Sequence, residues 1–301
     1  MSTTRPPFFT PKFAIGAGVI YGTACYIGYT AIRNNQAEQE ATTQFLLSKQ
    51  QGNPNSCGHD HDHHGTKNFS FITNPLRNQQ YDTVAATYDA DIGKDESVMG
   101  MNLLRRALLY FHANGTVLEL AAGTGRNIPY YPTDGTVERV LLLDTSTKML
   151  QQAHHKIQEL GGTSNSNNTP QFACKIGDAA HLAEFPDHCF ETVVDTFGLC
   201  SYDDPVAVLR EMKRVCCSKG GKILLLEHGR SKSNHWLTQY LDTNAERHAK
   251  NWGCVWNRDL DHIIAESGLV IETLHTFHFG TTYYVVCRCP PPAAASASAA
   301  S

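Results

Sequence analysis

The sequence predicts an α/β domain in which a mostly parallel sheet carries helices on both faces. Short apolar runs such as "VLEL" (117–120), "RVLLLD" (139–144), "FACKI" (172–176), "TVVD" (192–195) and "KILLLEH" (222–228) alternate with segments of helical periodicity. The first run leads directly into a small-residue bend, "AAGTG" (121–125), the kind of turn on which an α/β protein seats a nucleotide-like ligand. Acids stand in or just after three of the runs, at Glu119, Asp144 and Asp178, where ligands lie in open parallel sheets.

Composition limits the rest. The chain has 301 residues, and the continuous globular pattern from Tyr81 to Cys289 is long enough for one sizeable core. A net charge of -4, with no dense run of Lys or Arg, argues against a dedicated nucleic-acid surface. The ten cysteines form no C-x-x-C pair, and Cys174, Cys200 and Cys287 sit inside apolar runs, as buried thiols in a reducing compartment do. Cys287-x-Cys289 is too little for zinc, so no metal centre is expected in the domain.

The ends of the chain differ from its middle. Phe13 to Ile32 is a run of 20 residues without a charge, bracketed by Lys12 and Arg33. As a helix it would be about 30 Å long, the thickness of a bilayer's hydrocarbon core. Tyr21, Tyr26 and Tyr29 suit an interfacial helix, and Ala14, Gly18 and Gly22 form a small-residue face. The first 37 residues hold no Asp or Glu but include Arg5, Lys12 and Arg33, a composition compatible with mitochondrial import. Residues 1–33 are therefore expected to carry a single-pass transmembrane anchor, most simply in the mitochondrial inner membrane. Residues 34–80 read as a polar linker. It contains "CGHDHDHHG" (57–65), whose His59, His61, His63 and His64 are competent ligands for zinc, copper or nickel but have no preformed geometry. Residues 290–301 form a low-complexity tail.

Within 81–289 the elements follow in order. "QQYDTVAATYDADI" and "VMGMNLLRRALLYF" read as helices, the second with Leu103, Leu104, Ala107, Leu108 and Phe111 at helical spacing and Asn114-Gly115 as its stop. The strand Val117–Leu120 and its bend come next. A dinucleotide site calls for G-x-G-x-x-G, whereas Gly123 and Gly125 are followed by Arg126, Asn127 and Ile128 with no third glycine. Glu119 would repel a pyrophosphate but favour a ligand bearing an ammonium and a sulfonium, as S-adenosylmethionine does. Asp144, 25 residues later and ahead of a helix capped near Thr145 or Ser146, suits a ribose diol. Asp178 suits an adenine amino group. The pattern predicts S-adenosylmethionine.

At these positions the sequence resembles class I adenosylmethionine-dependent methyltransferases, in the methyltransferase type 11 group that includes the ubiquinone and menaquinone C-methyltransferases. The resemblance rests on "YDTVAATYD", "LELAAGTGRN", "LLLDTSTKML", "GDAAHL", "CFETVVDTFGLCS" and "CSKGGKILLLEHGRS". "LLLEHGRS" and "GCVWNRDLDHII" look most like membrane-anchored mitochondrial methyltransferase-like proteins of fungi, and more distantly like membrane-associated thiol methyltransferases of animals. The resemblance implies a Rossmann-like, seven-stranded sheet with an antiparallel last strand, for which "LVIETLHTFHF" and "TTYYVVCRC", joined at Gly280-Thr281, supply the hairpin. It implies a cofactor site of Glu119, Ala121, Gly123, Gly125, Asp144, Thr145, Asp178, Ala179 and Asp195. Ala121 departs from the family, which usually has a glycine there.

The acceptor side is less defined. No N-P-P-Y follows Asp195, against amino-methylation of adenine or glutamine, and no Pro-Cys pair supports Cys200 as a covalent nucleophile, so Cys200 reads as pocket wall or core. His228, at the end of the fifth apolar run, is the first candidate for the base that deprotonates a carbon, phenol or thiol acceptor; His275 and His278 are weaker ones. The expected protein is a membrane-held methyltransferase for a small lipophilic acceptor, a quinone or lipid. A membrane-bound assembly or stability factor that keeps the fold with little chemistry is the main rival, and a metal-handling protein centred on the histidine tract is another. The uncharged run generates a direct test: full-length protein stays in the pellet after alkaline carbonate extraction, while a chain starting at Asn34 is released. If both wash off, the run is not a membrane span.

Overall fold

The computed structural model describes residues 74–161, 168–217 and 219–289. The uncharged run and the histidine tract lie outside them, and among the described residues no helix is long and apolar enough to cross a membrane.

The chain opens with helices α1 (Asn74–Val84), α2 (Tyr88–Val98) and α3 (Met101–His112), then strand β1 (Gly115–Leu120). Next come β2 (Val137–Asp144), α4 (Thr147–Gly161), β3 (Gln171–Ile176), β4 (Thr192–Thr196), α5 (Pro205–Val215) and β5 (Lys222–His228). Helices α6 (His235–Trp252) and α7 (Leu260–Ser267) lead into β6 (Val270–Phe277) and β7 (Thr282–Arg288). The seven strands lie in the order β3-β2-β1-β4-β5-β7-β6, with β7 antiparallel to both β5 and β6 and the other pairs parallel. The expected Rossmann-like methyltransferase sheet is therefore present.

Burial on both faces explains why the inner strands read as continuous apolar runs. One face packs Val117, Val140, Leu142, Val194, Leu224 and Val286 against Leu108 and Leu109 of α3 and Leu150 and Ala153 of α4. The alternate positions Leu118, Leu120, Val193, Ile223, Leu225 and Val285 are buried too. Helix starts follow capping chemistry: Asp204 accepts from Ala207 N ahead of Pro205, Asn234 from Leu237 N, and Asp259 from His262 N.

Two boundaries differ from expectation. Helical structure is already present at Asn74, upstream of Tyr81, because α1 runs through the tyrosine. Each of the two long amino-terminal helical segments is also broken: the first ends at Val84 and restarts at Tyr88, and the second is interrupted at Gly100, whose left-handed backbone (φ +72°) ends one helix and begins the next. Uninterrupted helical periodicity cannot report such a break.

The sheet order reverses where the chain passes from β3 to β4 across β1. β1 pairs with β2 on one side and β4 on the other, so the chains leaving β1 and β4 turn away in opposite directions and open a crevice at their carboxyl ends. Gly125 closes the bend there: a side chain would place its Cβ 2.4 Å from Ile128 and 3.0 Å from Ala153, at φ +75°. Gly220 has a similar φ of +82° but open space around it. We expect Gly220→Ala to cost about 1 kcal/mol, the left-handed penalty alone. Gly125→Ala adds overpacking and costs about 2–5 kcal/mol in chemical denaturation. Equal costs would mean that the close approach is relieved by small shifts.

Candidate functional site

A cavity of about 460 Å³ occupies the crevice, within the range of about 300–1,000 Å³ usual for small-molecule sites. The ends of β1 to β4 form its floor, while Arg77, Asn78 and Tyr81 of α1 and Tyr88 and Glu96 of α2 form its upper wall.

The bend is built around one carboxylate. Asp144 Oδ2 accepts from Gly123 N at 2.8 Å, and its Oδ1 accepts from Ser146 N at 2.8 Å. Ser146 in turn caps α4 by accepting from Met149 N. Burial raises the pKa of Asp144, opposed by these backbone donors. Ala121 has φ +45°, so the residue found where the family usually has glycine sits in the left-handed region that glycine enters without cost.

Glu119 is buried beneath the bend. Its Oε1 accepts from Asn127 Nδ2 at 3.1 Å and its Oε2 from Tyr131 OH at 2.6 Å. Burial lifts its pKa to about 7, with the Tyr131 hydrogen bond pulling the other way. Thr145 lines the cavity with its hydroxyl donated to Asn78 Oδ1. Asp178 and Ala179 line it as well; Asp178 Oδ1 accepts from Ala180 N at 2.9 Å, and its Oδ2 lies 3.2 Å from His181 Nδ1. The structure thus brings Glu119, Ala121, Gly123, Asp144, Thr145, Asp178 and Ala179 to one wall.

Three predicted site residues stand elsewhere. Gly125 packs on Ile128 and Ala153 rather than lining the cavity. Asp195 lies under the floor, fully buried, with Oδ1 accepting from Gly198 N at 2.9 Å. Glu227 of β5 is buried against it, and Gly198 N also reaches Glu227 Oε1 at 3.3 Å. A side chain at Gly198 would strike Asp195 Oδ1, which is why the floor can be so thin there. Burial pushes Asp195 up to about 7 and Glu227 well above the carboxylate range.

His228 is the third. It does not line the cavity. Its ring faces Phe197 at 5.4 Å between centroids, and its Nε2 is 2.8 Å from Cys254 Sγ. Burial opposes charge on His228, yet the Cys200 thiol beside it raises its pKa overall. It is occupied within the protein and not presented to an acceptor. His275 and His278 are also off the cavity wall.

Sequence reading missed the upper wall. Arg77 donates to Ser201 O and Asp203 Oδ1, and Tyr81 OH meets Ser201 Oγ at 2.9 Å, so α1 is tied to the turn after β4. Arg105 of α3 reaches Asn127, Thr196 and Glu96, and Arg126 reaches Glu96 and Asp89. These pairs hold α2, which buries none of its own residues, over the bend. The motif "YDTVAATYD" was the available signal, since both of its tyrosines line the cavity.

The buried acid pair makes stability pH-dependent. Below about pH 3 Asp195 and Glu227 carry protons whether the chain is folded or not. As pH rises the unfolded chain releases them first, so stability falls until the folded groups ionise, near pH 7 for Asp195. Replacing Glu227 by Gln removes one of these protons, and the fall between about pH 5 and 7 should flatten by up to about 1.4 kcal/mol per pH unit. Chemical denaturation at each pH reads this directly, and an unchanged slope would mean that Glu227 ionises normally in the folded chain.

Comparison with known proteins agrees with this geometry. Residues 118–225, from the middle of β1 into β5, match the family described as a methyltransferase domain. Over 221 residues the chain is 32% identical to the mitochondrial methyltransferase OMS1 of Saccharomyces cerevisiae, covering 69% of this chain and 45% of that protein. It is 34% identical over 144 residues to a phosphatidylethanolamine N-methyltransferase of Cereibacter sphaeroides, covering 48% of this chain and 64% of the relative. It is 33% identical over 113 residues to the ubiquinone/menaquinone biosynthesis C-methyltransferase UbiE of an Enterobacter species, covering 37% and 42%. The chain therefore spans less than two thirds of each of these relatives. Among solved structures, the complex of Haloferax volcanii Trm112 with a methyltransferase matches with a TM-score of 0.53 at 16% identity, covering 70% of this chain and 97% of that one. The [4+2]-cyclase SpnF matches with a TM-score of 0.55 at 14% identity, covering 73% and 97%. Residues 118–225 thus carry methyltransferase-domain sequence, on the Rossmann-like α/β fold of the class I methyltransferases.

Proposed function

We propose that the protein is an S-adenosylmethionine-dependent methyltransferase acting on a small lipophilic acceptor at a mitochondrial membrane. The observation that carries this reading is the convergence of Glu119, Asp144 and Asp178 on one cavity behind a left-handed glycine bend, within a segment of methyltransferase-family sequence. The residues fit the cofactor chemically. Asp144 would take the ribose hydroxyls and Asp178 the adenine amino group, with Thr145 and Ala179 beside them. Glu119 places a titratable acid under the cationic methionine end, and a cation there would draw it toward its ionised form. Bound S-adenosylmethionine supplies an electrophilic methyl group on a sulfonium. The chain's part is to align that methyl with an acceptor and exclude water.

The mouth of the cavity suits an apolar acceptor. Tyr81, Tyr88 and Phe197 line it, and burial holds both phenols protonated, as donors rather than bases. Met99, Phe279 and Trp236 are exposed apolar side chains, and the backbone of Met99 meets His278 Nε2 at 2.9 Å. Exposed apolar side chains of this kind favour contact with lipid. The names of two relatives, a phospholipid N-methyltransferase and a quinone C-methyltransferase, support a lipophilic acceptor, and that of the yeast relative supports mitochondria. A second reading, an assembly or stability factor that retains the fold, is favoured by one observation: no histidine among those expected to act as base reaches the cavity wall.

Calorimetry separates the two in stages. Purified protein should bind S-adenosylmethionine and its demethylated product, and Asp144→Ala should weaken binding by roughly 1.5–3 kcal/mol, the scale of hydrogen bonds to a charged group. Labelled methyl should then pass into the quinone or lipid fraction of a mitochondrial extract. Binding without transfer into any lipid, quinone or protein fraction moves the reading to the assembly factor, and absence of binding removes the enzyme reading altogether.

A further inference from the structure

Three side chains distant in sequence meet behind the cavity wall. Cys200 comes from the turn after β4, His228 from the end of β5, and Cys254 from the residue after the left-handed Gly253 that ends α6. Their ligand atoms, two thiol sulfurs and one imidazole nitrogen, all lie within 4.8 Å of one another. Cys200 and Cys254 are buried and His228 is partly buried. Backbone bonds hold the three segments together: Val255 N donates to Cys200 O at 2.9 Å, and Arg230 N to Arg258 O at 2.9 Å.

We propose that Cys200, His228 and Cys254 form a binding site for a thiophilic divalent metal ion, zinc in particular. Two thiolates and an imidazole are a donor set that selects zinc over the hard cations. A tetrahedral zinc ion with Zn–S of about 2.3 Å and Zn–N of about 2.0–2.1 Å separates sulfur from sulfur by about 3.8 Å and sulfur from nitrogen by about 3.6 Å. His228 Nε2 and Cys254 Sγ, 2.8 Å apart, would open by about 0.8 Å to reach that geometry, and all three ligand atoms already lie within 4.8 Å of one another. Burial gives the site a dry shell and keeps its thiols from competing reactions.

Three protein ligands leave a fourth position, the arrangement of zinc sites that keep an exchangeable partner rather than closed structural ones. Two polar groups neighbour Cys200 Sγ: Phe197 O, which accepts from it at 3.3 Å, and Ser201 Oγ at 3.6 Å, which is hydrogen-bonded to Tyr81 OH on the cavity wall. The ion would therefore brace the β4 turn, the end of β5 and the α6–α7 connection one side chain away from the cavity. This site is separate from the histidine tract at 57–65, whose own metal affinity has to be removed before it can be measured.

The test uses the full-length chain with Cys57, His59, His61, His63 and His64 all replaced by Ser, prepared under reducing conditions with zinc supplied. Elemental analysis should find one equivalent of zinc per chain, falling to near none in Cys200→Ser and in Cys254→Ser. Cobalt(II) added to the zinc-stripped parent should give thiolate-to-cobalt charge-transfer absorption and intense tetrahedral d–d bands. In His228→Asn that spectrum should weaken or change form. The cobalt experiment on the parent needs no ligand substitution, so a variant that fails to fold does not blunt the test. A folded parent that binds neither metal overturns the assignment. So does full zinc content in the folded cysteine variants, or peptide mapping that finds Cys200 joined to Cys254.

Discussion

Gly123 donates its amide to the Asp144 carboxylate at 2.8 Å, and that bond joins the ends of two neighbouring strands. The parallel register of β1 and β2 continues past the strands, as Ala122 N donates to Leu143 O at 3.1 Å, so the bend and the acid arrive at the same height. Because the amide is satisfied by the carboxylate, the chain can leave β1 with Ala121, Gly123 and Gly125 all in left-handed conformations. The other oxygen of Asp144 starts the turn into α4. One side chain therefore shapes the bend, sets the start of a helix and lines the cavity.

Charge is distributed on a different principle above and below the cavity. Below it, Glu119, Asp195 and Glu227 are buried acids whose ionisation is held back by loss of solvent. They make the floor a region that gains from a cation in the cavity. Above it, α2 has no buried residue and is fastened by Glu96 and Asp89 to Arg105, Arg126 and Lys156 at 2.5–3.1 Å. Glu96 is only 14% exposed and Arg105 4%, so these pairs are shielded from solvent, and removing one partner would leave the other charge buried and unpaired.

Fold similarity and function separate clearly here. A similar fold is found in a methyltransferase complex and in a [4+2]-cyclase among the solved structures, so architecture by itself does not choose a reaction. The methyl-transfer reading comes from the acids and the bend. His228 stands at a strand end, where a base is expected, but it does not line the cavity: its ring packs behind Phe197 and its Nε2 meets Cys254 Sγ.

Sequence alone determined the features that depend on short-range pattern. The alternating apolar runs, the final hairpin, the bend at 121–125 and the acids Glu119, Asp144 and Asp178 are local, because strand burial and turn chemistry act over a few residues. Tertiary structure decided what depends on residues meeting across the chain. The cavity's upper wall draws Arg77 and Asn78 from a stretch that reads as linker, since α1 gains its role only by docking on the turn after β4. The pairing of Asp195 with Glu227 follows from the parallel register of β4 and β5. Cys200, His228 and Cys254 stand 28 and 26 residues apart and share no local spacing, so only the fold reveals that three strand-end and helix-end positions close on one point. Local sequence fixes the direction in which a chain leaves its strand; which other chain it meets is set by the packing of the whole sheet.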